Sequence, residues 1–170
     1  MKTIKKLWVA LLFIFLFPWP CWSWQGKVVE VLDGDTIVVN KDGKAIKVRL
    51  YGIDCPERGQ PVFEWATNLT SSFVLKKTVE VTPIGSVLYD TTYALVRVDG
   101  KRDYVNTLLI SYGMAWVSVK NCVSEQCKEW KKLEELARTN RVGLWVQLDP
   151  VPPWEWQQHR RKQMLKPETE

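Results

Sequence analysis

The segment TIVVNKDGKAIKVRLY, residues 36–51, has the pattern of two β-strands joined by a tight turn. Its two halves, 36–39 and 45–51, are rich in β-branched residues and alternate in polarity, as strands with one buried face do. Between them lie Asp42 and Gly43, two residue types that accept the positive φ angles of a type I′ turn. The segment therefore predicts a β-hairpin.

The same kind of pattern continues on both sides of the hairpin. Alternating, β-branched runs predict three more strands, at 27–32, 78–82 and 93–98. Apolar residues at helical spacing predict helices over 62–75, 104–112 and 124–140, and a short strand is expected at 115–119. Five main strands with a helix after the third predict an α+β fold, a five-stranded OB-like barrel with about three flanking helices.

Apolar faces of these helices and strands define an expected core. The last helix, with Ser124 as its N-cap, has an apolar stripe formed by Cys127, Trp130, Leu133, Leu136 and Ala137. Four tryptophans fall on apolar faces and are also expected to be core residues: Trp65, Trp116, Trp130 and Trp145.

The start of the chain has the composition of an export signal. Three lysines within the first six residues precede an apolar run at 7–17, which is too short for a membrane span of about 20 residues. We therefore predict a secretory signal at 1–23. An uncleaved N-terminal anchor is the alternative, and a lipoprotein attached through Cys21 is less favoured.

The charge, composition and length of the chain exclude several classes of protein. The 170 residues carry 24 Lys and Arg against 19 Asp and Glu, a formal charge of +5. Removal of the predicted signal takes away three lysines and no acid, so the mature charge is 5 − 3 = +2, too little to argue for nucleic-acid binding. The composition excludes an acidic disordered tail, a collagen-like repeat and a multi-span membrane protein. The length suits one domain, at 24–148, followed by a Pro/Trp-rich basic tail at 149–170.

Three cysteines remain after residue 23, and two of them are close in sequence. Disulfides persist in the oxidising compartments of exported proteins, so Cys122 and Cys127 are candidates for pairing. The alternative is a metal pair, but the single histidine, His159, lies in the polar tail and no second Cys/His pair completes a zinc site. We therefore favour a Cys122–Cys127 disulfide, with Cys55 left over.

Candidate functional residues lie in two short acidic segments, VLDGDT at 31–36 and RLYGIDCPE at 49–57. Carboxylates gathered at strand ends can hold a hard cation such as Ca²⁺ through oxygen ligands. A further carboxylate can act as general base on a water, and an arginine can stabilise a phosphate oxyanion. Phosphodiester hydrolysis needs a metal, a base and a cation, although each segment alone is also compatible with a polar surface loop.

Taken together, these segments resemble the thermonuclease (staphylococcal-nuclease-like) family. The resemblance rests on Asp33-Gly34-Asp35-Thr36, on Arg49, and on Gly52-Ile53-Asp54-Cys55-Pro56-Glu57, and it covers roughly residues 26–145. Later landmarks follow in order, at Asp99-Gly100, Val105-Asn106 and Gly143-Leu144-Trp145. The Pro/Trp-rich segment 152–156 and the Cys122/Cys127 pair resemble exported bacterial members. The resemblance implies an OB-fold, Ca²⁺-dependent nuclease that cuts the phosphodiesters of DNA and RNA.

The resemblance also implies roles for five residues. Asp35 and Asp54 are expected to be calcium ligands, and the main-chain carbonyl of Cys55 a third ligand. Glu57 is expected to position or deprotonate the attacking water. Arg49 is expected to hold the scissile phosphate and stabilise its developing charge. A catalytic thiol at Cys55 is the alternative there, but no histidine lies in the body of the chain to pair with it.

One departure from the family pattern concerns a second catalytic arginine. The family carries it in a Tyr-Gly-Arg-Gly-like stretch, and here the corresponding stretch is Tyr89-Asp90-Thr91-Thr92. Thr91 occupies the arginine position and brings no charge, so we expect reduced activity. Tyr89 is retained as a substrate-binding residue that can stack on a base.

These observations predict a Ca²⁺-dependent nuclease that is exported, to the periplasm or the medium. We expect it to act on DNA and RNA, with single strands favoured, as a monomer without a membrane span in the mature form. Two alternatives remain open: a catalytically weakened module that binds nucleic acid or calcium, and a protein-interaction domain that keeps the fold. The presence of Asp35, Arg49, Asp54 and Glu57 favours the nuclease, whereas Thr91 favours the weakened module.

Overall fold

The computed structural model describes residues 23–85, 88–118, 122 and 125–164. The predicted signal at 1–23 lies outside the described residues except for its last position, and so do Ser124 and the end of the short strand expected at 115–119. Within the described part of the chain, no helix combines the length and the apolar character that crossing a bilayer requires.

Five strands form a closed barrel, as predicted. They are β1 (Trp24–Val31), β2 (Thr36–Lys41), β3 (Lys44–Leu50), β5 (Thr78–Pro83) and β6 (Thr91–Val98). The order around the barrel is β1-β2-β3-β6-β5, with β3 and β6 parallel and the other neighbouring pairs antiparallel. Two short strands, β4 (Ile53–Asp54) and β7 (Trp116–Val117), pair beside the barrel.

The predicted hairpin joins β2 to β3. Asp42 and Gly43 have φ angles of 51° and 83°, as a type I′ turn requires. Every second residue of the two strands enters the barrel, so Ile37, Val39 and Val48 are fully buried. The register pairs Thr36 with Arg49, which places the start of β2 beside the end of β3.

The described residues also form four α-helices: α1 (Phe63–Val74), α2 (Val105–Ser111), α3 (Glu125–Thr139) and α4 (Pro153–Met164). A 3₁₀ helix, Gly143–Val146, follows α3. The first three α-helices agree with the predicted ones. The fourth lies in the tail and was not expected, because its sequence has no apolar stripe and only Pro153 is buried.

The predicted core is largely confirmed, with two corrections. Trp116, Trp130 and Trp145 are buried, but Trp65 is 64% exposed. The buried face of α1 consists of Phe63, Ala66, Thr70 and Val74, and Trp65 is rotated about 100° from Ala66, away from this face. Leu136 is exposed for the same reason, because it precedes the buried Ala137 by one position.

The predicted Cys122–Cys127 disulfide is present, with the two Cα atoms 5.6 Å apart, and Cys55 is free and buried. The disulfide fixes the turn that leads into β4. A Cβ atom at Gly52 would come within 2.7 Å of the Cys122 sulfur and of the Trp130 ring, and Gly52 has a φ angle of 75°. Glycine is therefore required here, and the packing holds the backbone two residues before Asp54 in place.

Candidate active site

Asp35 is the most deeply buried residue of the site. It directly precedes β2, and its side chain is anchored on three sides. Oδ1 accepts a hydrogen bond from the Thr36 hydroxyl at 3.0 Å, and Oδ2 accepts one from the Cys55 amide at 2.7 Å. Oδ2 also lies 3.2 Å from Nη2 of Arg49. Only 2% of Asp35 is exposed, so these contacts fix the carboxylate at one end of the barrel.

The turn at Asp33 and Gly34 positions the backbone of Asp35. Oδ1 of Asp33 accepts a hydrogen bond from the Asp35 amide at 3.0 Å. A Cβ atom at Gly34 would lie 2.7 Å from Cβ of Cys55 and 3.0 Å from that of Ala66. The turn therefore packs tightly against the segment that follows β4, and the two acidic segments of the sequence meet here.

Arg49 lies between two carboxylates. Its Nη1 atom is 3.2 Å from Oδ1 of Asp35, and its Nη2 atom donates to Oδ1 of Asp54 at 2.5 Å. The guanidinium thus joins the start of β2 to β4, which are distant in sequence. The side chain keeps 27% of its surface exposed, so part of the guanidinium is accessible to a ligand.

The site carries more negative than positive charge. Burial raises the pKa of Asp35 well above its ordinary value, against the lowering effect of Arg49 and with smaller contributions from Asp33 and Asp54. Burial also raises the pKa of Asp54, again against Arg49, and the charges of Glu57 and Asp33 add to the effect. Four acids thus act on one another around one arginine, and an additional cation would relieve their repulsion.

The guanidinium of Arg49 stays charged in this environment. Burial alone would lower its pKa, but the carboxylates of Asp35 and Asp54 outweigh that effect and raise it. Arg49 is therefore a permanent cation at this site and has no role as a proton donor.

The donor set fits a hard cation. In the part of the chain that the structure describes, no three side chains of His, Cys, Asp or Glu are grouped as a metal site. The predicted set needs only two such side chains, Asp35 and Asp54, and a main-chain carbonyl at Cys55. Both carboxylates contact Arg49. Their oxygens, together with the surplus negative charge, suit a cation of the Ca²⁺ type.

The Cys55 thiol has the properties of a core residue. Burial raises its pKa well above the ordinary value, and the charges of Asp35 and Asp33 add to this. The thiol therefore stays protonated, and a catalytic thiolate is not favoured.

Glu57 lies in the loop after β4 and is half-buried. Its amide donates a hydrogen bond to Oε1 of Gln60 at 2.8 Å, which fixes the loop backbone. Its carboxylate Oε1 accepts a hydrogen bond from Nε2 of Gln157, in α4, at 2.6 Å. Glu57 also acts on Asp54 through its charge, so the predicted base belongs to the same electrostatic cluster as the predicted ligands.

A pocket of about 250 Å³ opens beside this cluster. Its lining residues come from β3, β4, β6, α4 and the turn before β4: Arg49, Leu50, Gly52, Ile53, Asp54, Tyr93 and Gln157. Tyr93 and Gln157 were not among the predicted site residues. Tyr93 is paired with Arg49 in the parallel β3–β6 register, a long-range pairing that gives no local sequence signal. Gln157 lies in a polar helix without any motif.

Tyr89 and Thr91 do not line this pocket. Leu88 and Thr91 exchange two backbone hydrogen bonds around a turn in which Tyr89 and Asp90 both have positive φ angles, 49° and 58°. Tyr89 is fully exposed, and the Thr91 hydroxyl donates to the Tyr89 carbonyl at 3.4 Å. The segment predicted to bind substrate is thus a tight exposed turn that leads into β6.

Comparisons with known proteins show which family this sequence resembles. The family model described as "Staphylococcal nuclease homologue" matches residues 47–147, which include Arg49, Asp54 and Glu57. The chain is 39% identical over 153 residues to an "Uncharacterized endonuclease" of Escherichia coli O157:H7, covering 88% of this chain and 96% of the relative. It is 31% identical over 156 residues to "Micrococcal nuclease" of Shigella flexneri, covering 87% and 89%.

A third relative, "Protein ParB" of Escherichia coli, is 33% identical over 155 residues, covering 86% of this chain and 87% of the relative. The barrel, the ordered acidic segments and these similarities identify the same class of protein, a hydrolytic nuclease. The chain belongs to the family of staphylococcal nuclease homologues.

Proposed function

We propose that this nuclease hydrolyses phosphodiester bonds of DNA and RNA with Ca²⁺ as its cofactor. The observation that carries the proposal is the position of Arg49, which contacts two buried or half-buried carboxylates and also lines an open pocket. Asp35, Asp54 and the main-chain carbonyl of Cys55 would hold the ion. When bound, the ion supplies positive charge that polarises a phosphoryl oxygen.

Arg49 has the task of holding the scissile phosphate. The carboxylates of Asp35 and Asp54 fix its guanidinium, so little conformational freedom is lost when a phosphate binds. Its exposed part can donate to the phosphate oxygens, on which negative charge accumulates during attack by water. A fixed donor aimed at developing charge lowers the barrier, because no reorganisation is needed during the reaction.

Glu57 has the task of positioning and deprotonating the water. One of its carboxylate oxygens, Oε1, is held by Gln157, and we assign the proton transfer to Oε2. A general base must lie within hydrogen-bonding reach of the proton that it takes, and Gln60, which accepts a hydrogen bond from the Glu57 amide, holds the backbone of the loop that carries this base.

A weakened enzyme that mainly binds nucleic acid is the second candidate. The observation that favours it is the turn at 88–91, which carries Thr91 where the family has an arginine. The fully exposed Tyr89 ring in this turn can stack on an unpaired base, which supports a preference for single strands.

The test is hydrolysis of heat-denatured DNA and of RNA by the purified chain, between pH 7 and 10. We expect degradation with millimolar Ca²⁺ and none after chelation by EGTA, with activity restored by added Ca²⁺. Full activity in EGTA would overturn the assignment of Ca²⁺. Tight binding of an intact oligonucleotide, without cleavage under any of these conditions, would favour the second candidate.

We also propose that the protein is exported and acts as a monomer. Supporting export, the Cys122–Cys127 disulfide is a type of bond that persists in oxidising compartments. Export is tested by locating the protein in periplasmic and culture fractions of the producing cell, and the monomer by light scattering of the purified chain.

A further inference from the structure

Three contacts join the segment after the barrel to the loop that carries Glu57. Nε2 of Gln60 donates to the carbonyl of Val151 at 2.6 Å. Nε2 of Gln157 donates to Oε1 of Glu57 at 2.6 Å, and Nη1 of Arg160 donates to the carbonyl of Arg58 at 3.3 Å. Contacts that join residues about 90 to 100 positions apart show that the tail lies against the active-site loop.

The first of these contacts is partly buried and links the loop to the tail. Only 7% of Gln60 is exposed. The side-chain oxygen of Gln60 accepts a hydrogen bond from the Glu57 backbone amide, and the Gln60 backbone amide donates to the Glu57 carbonyl at 2.8 Å. The side-chain nitrogen of Gln60 donates to the Val151 carbonyl. One side chain therefore sets the position of both the catalytic loop and the start of the tail.

The first turn of α4 is also anchored. Pro153 is buried, and Trp154 packs against the small core cluster that contains Trp116 and Leu144. Gln157 lies one turn further along the helix, so its position follows from this anchor. The helix thus delivers an amide group to Glu57 from a supported backbone.

In the contact between Gln157 and Glu57, Gln157 is the hydrogen-bond donor. An ionised carboxylate only accepts hydrogen bonds, whereas the amide nitrogen of glutamine donates two. A donor held at Oε1 restricts rotation of the Glu57 carboxylate and keeps Oε2 available for the water. Gln157 also lines the pocket beside Arg49 and Asp54, so the contact connects Glu57 to the edge of this pocket.

We propose that Gln157 is a positioning residue that orients the Glu57 carboxylate for attack of water on the phosphodiester. The inference rests on the base role proposed above for Glu57. Gln157 lies outside residues 47–147, the part of the chain that the family model matches.

The alternative is a surface contact without function, because both side chains are partly exposed and an exposed contact of this kind contributes little to stability. The two interpretations differ in what they predict for turnover. A surface contact predicts no change in kcat, whereas a positioning contact predicts a loss that falls on kcat and spares KM.

The experiment compares Gln157→Ala and the isosteric Gln157→Glu, with Gln158→Ala and Gln158→Glu as matched controls on the exposed neighbouring position. Gln157→Glu keeps the shape and removes the donor. We expect both Gln157 variants to lower kcat about 10-fold with KM within about twofold, and both controls to stay within about twofold of the wild type. Circular dichroism and thermal unfolding check that all four variants fold.

A double variant makes the test independent of folding differences. If Gln157 acts through Glu57, adding Gln157→Ala to Glu57→Gln lowers the residual rate no further, whereas independent effects multiply. Unchanged kcat in Gln157→Glu, a loss confined to KM, or multiplying effects in the double variant would each overturn the inference. Those outcomes leave the proposed function intact as long as Glu57→Gln is inactive; a fully active Glu57→Gln would overturn both.

Discussion

The barrel cluster of Asp35, Arg49 and Asp54 and the turn at 88–91 are built in opposite ways. The cluster is buried or half-buried, and each side chain has at least one charged or backbone partner within 3.2 Å. In the turn, Tyr89 is fully exposed and Thr91 makes a long hydrogen bond of 3.4 Å to it. The backbone of the turn is closed by two hydrogen bonds, but of the two regions only the cluster holds charged side chains in place through partners.

This difference indicates which region carries the chemistry. Fixed donors and charges stabilise a transition state because they need no reorganisation, whereas an exposed and uncharged turn contributes little. The cluster is therefore expected to supply the catalysis, and the turn to limit its rate. Changes in the cluster should be costly, and changes in the turn should be small or beneficial.

Among substitutions in the barrel cluster and the turn, the largest effect on kcat is expected for Arg49→Lys. Lysine keeps the charge but cannot contact two carboxylates and a phosphate through a planar fork, so kcat should fall by about 10³-fold. The measurement is steady-state cleavage of a fluorescent oligonucleotide. The matched control is Arg97→Lys, which alters the Arg97–Glu80 ion pair on the barrel and should leave kcat within about twofold. A fall in kcat of less than threefold in Arg49→Lys would show that the planar guanidinium group is not needed.

Asp35→Ala should have the largest effect on stability. It leaves the Cys55 amide and part of the Arg49 guanidinium without their buried partner. We expect this loss to exceed the gain from relieving the burial of Asp35 and its repulsion by Asp33 and Asp54, so the free energy of unfolding should fall by about 3 kcal/mol. Urea unfolding in EGTA measures this without a contribution from bound Ca²⁺. Asp99→Ala, in an exposed turn, is the control and should change the value by about 0.5 kcal/mol or less. Equal effects of the two substitutions would mean that Asp35 is not a structural anchor.

Removal of the disulfide should weaken the cluster indirectly. The double variant Cys122→Ser/Cys127→Ser lacks the cross-link that restricts the unfolded chain. The free energy of unfolding should therefore fall by about 2 kcal/mol. Since the Cys122 sulfur packs near Gly52, we also expect lower activity at elevated temperature. The single variant Cys55→Ser serves as the control for loss of a buried sulfur. If the double serine variant unfolds at the same urea concentration as the wild type, the disulfide does not support the site.

The smallest effect, and the only gain, is expected for Thr91→Arg. A guanidinium at the family's arginine position should raise kcat about 10-fold if the turn limits the rate. The control is Thr139→Arg, which adds the same charge at the exposed end of α3 and separates bulk charge from position. An equal gain in both variants would point to bulk attraction of nucleic acid, and no gain in either would show that the turn is not the limiting region.

The sequence predicts the cluster well because its determinants are local. The hairpin turn at Asp42 and Gly43 fixes the β2–β3 register, and that register alone brings the start of β2 next to Arg49. The ordered acidic segments then identify Asp54 and Glu57. The five-stranded barrel follows from strand patterns that are equally local.

The other parts of the site depend on contacts that local patterns do not encode. Tyr93 enters the pocket through a parallel pairing of strands far apart in sequence. Gln157 contacts Glu57 from α4, a helix without an apolar stripe. The start of this helix is held in place by the hydrogen bond from Gln60 to Val151 and by the packing of Trp154. The prediction for Trp65 is wrong because it assigns Trp65 to the apolar face of the helix, whereas the buried face of α1 includes Ala66, one position away.

The proposed function depends most on Glu57 acting as the base of this nuclease, next to the cluster around Arg49. The most direct measurement is the single-turnover rate of cleavage of a single-stranded oligonucleotide, at saturating Ca²⁺, by the wild type and by Glu57→Gln. We predict a rate at least about 10³-fold lower in Glu57→Gln, with an unchanged circular dichroism spectrum and unchanged oligonucleotide binding. Equal rates in the two proteins would show that Glu57 is not the base of this nuclease.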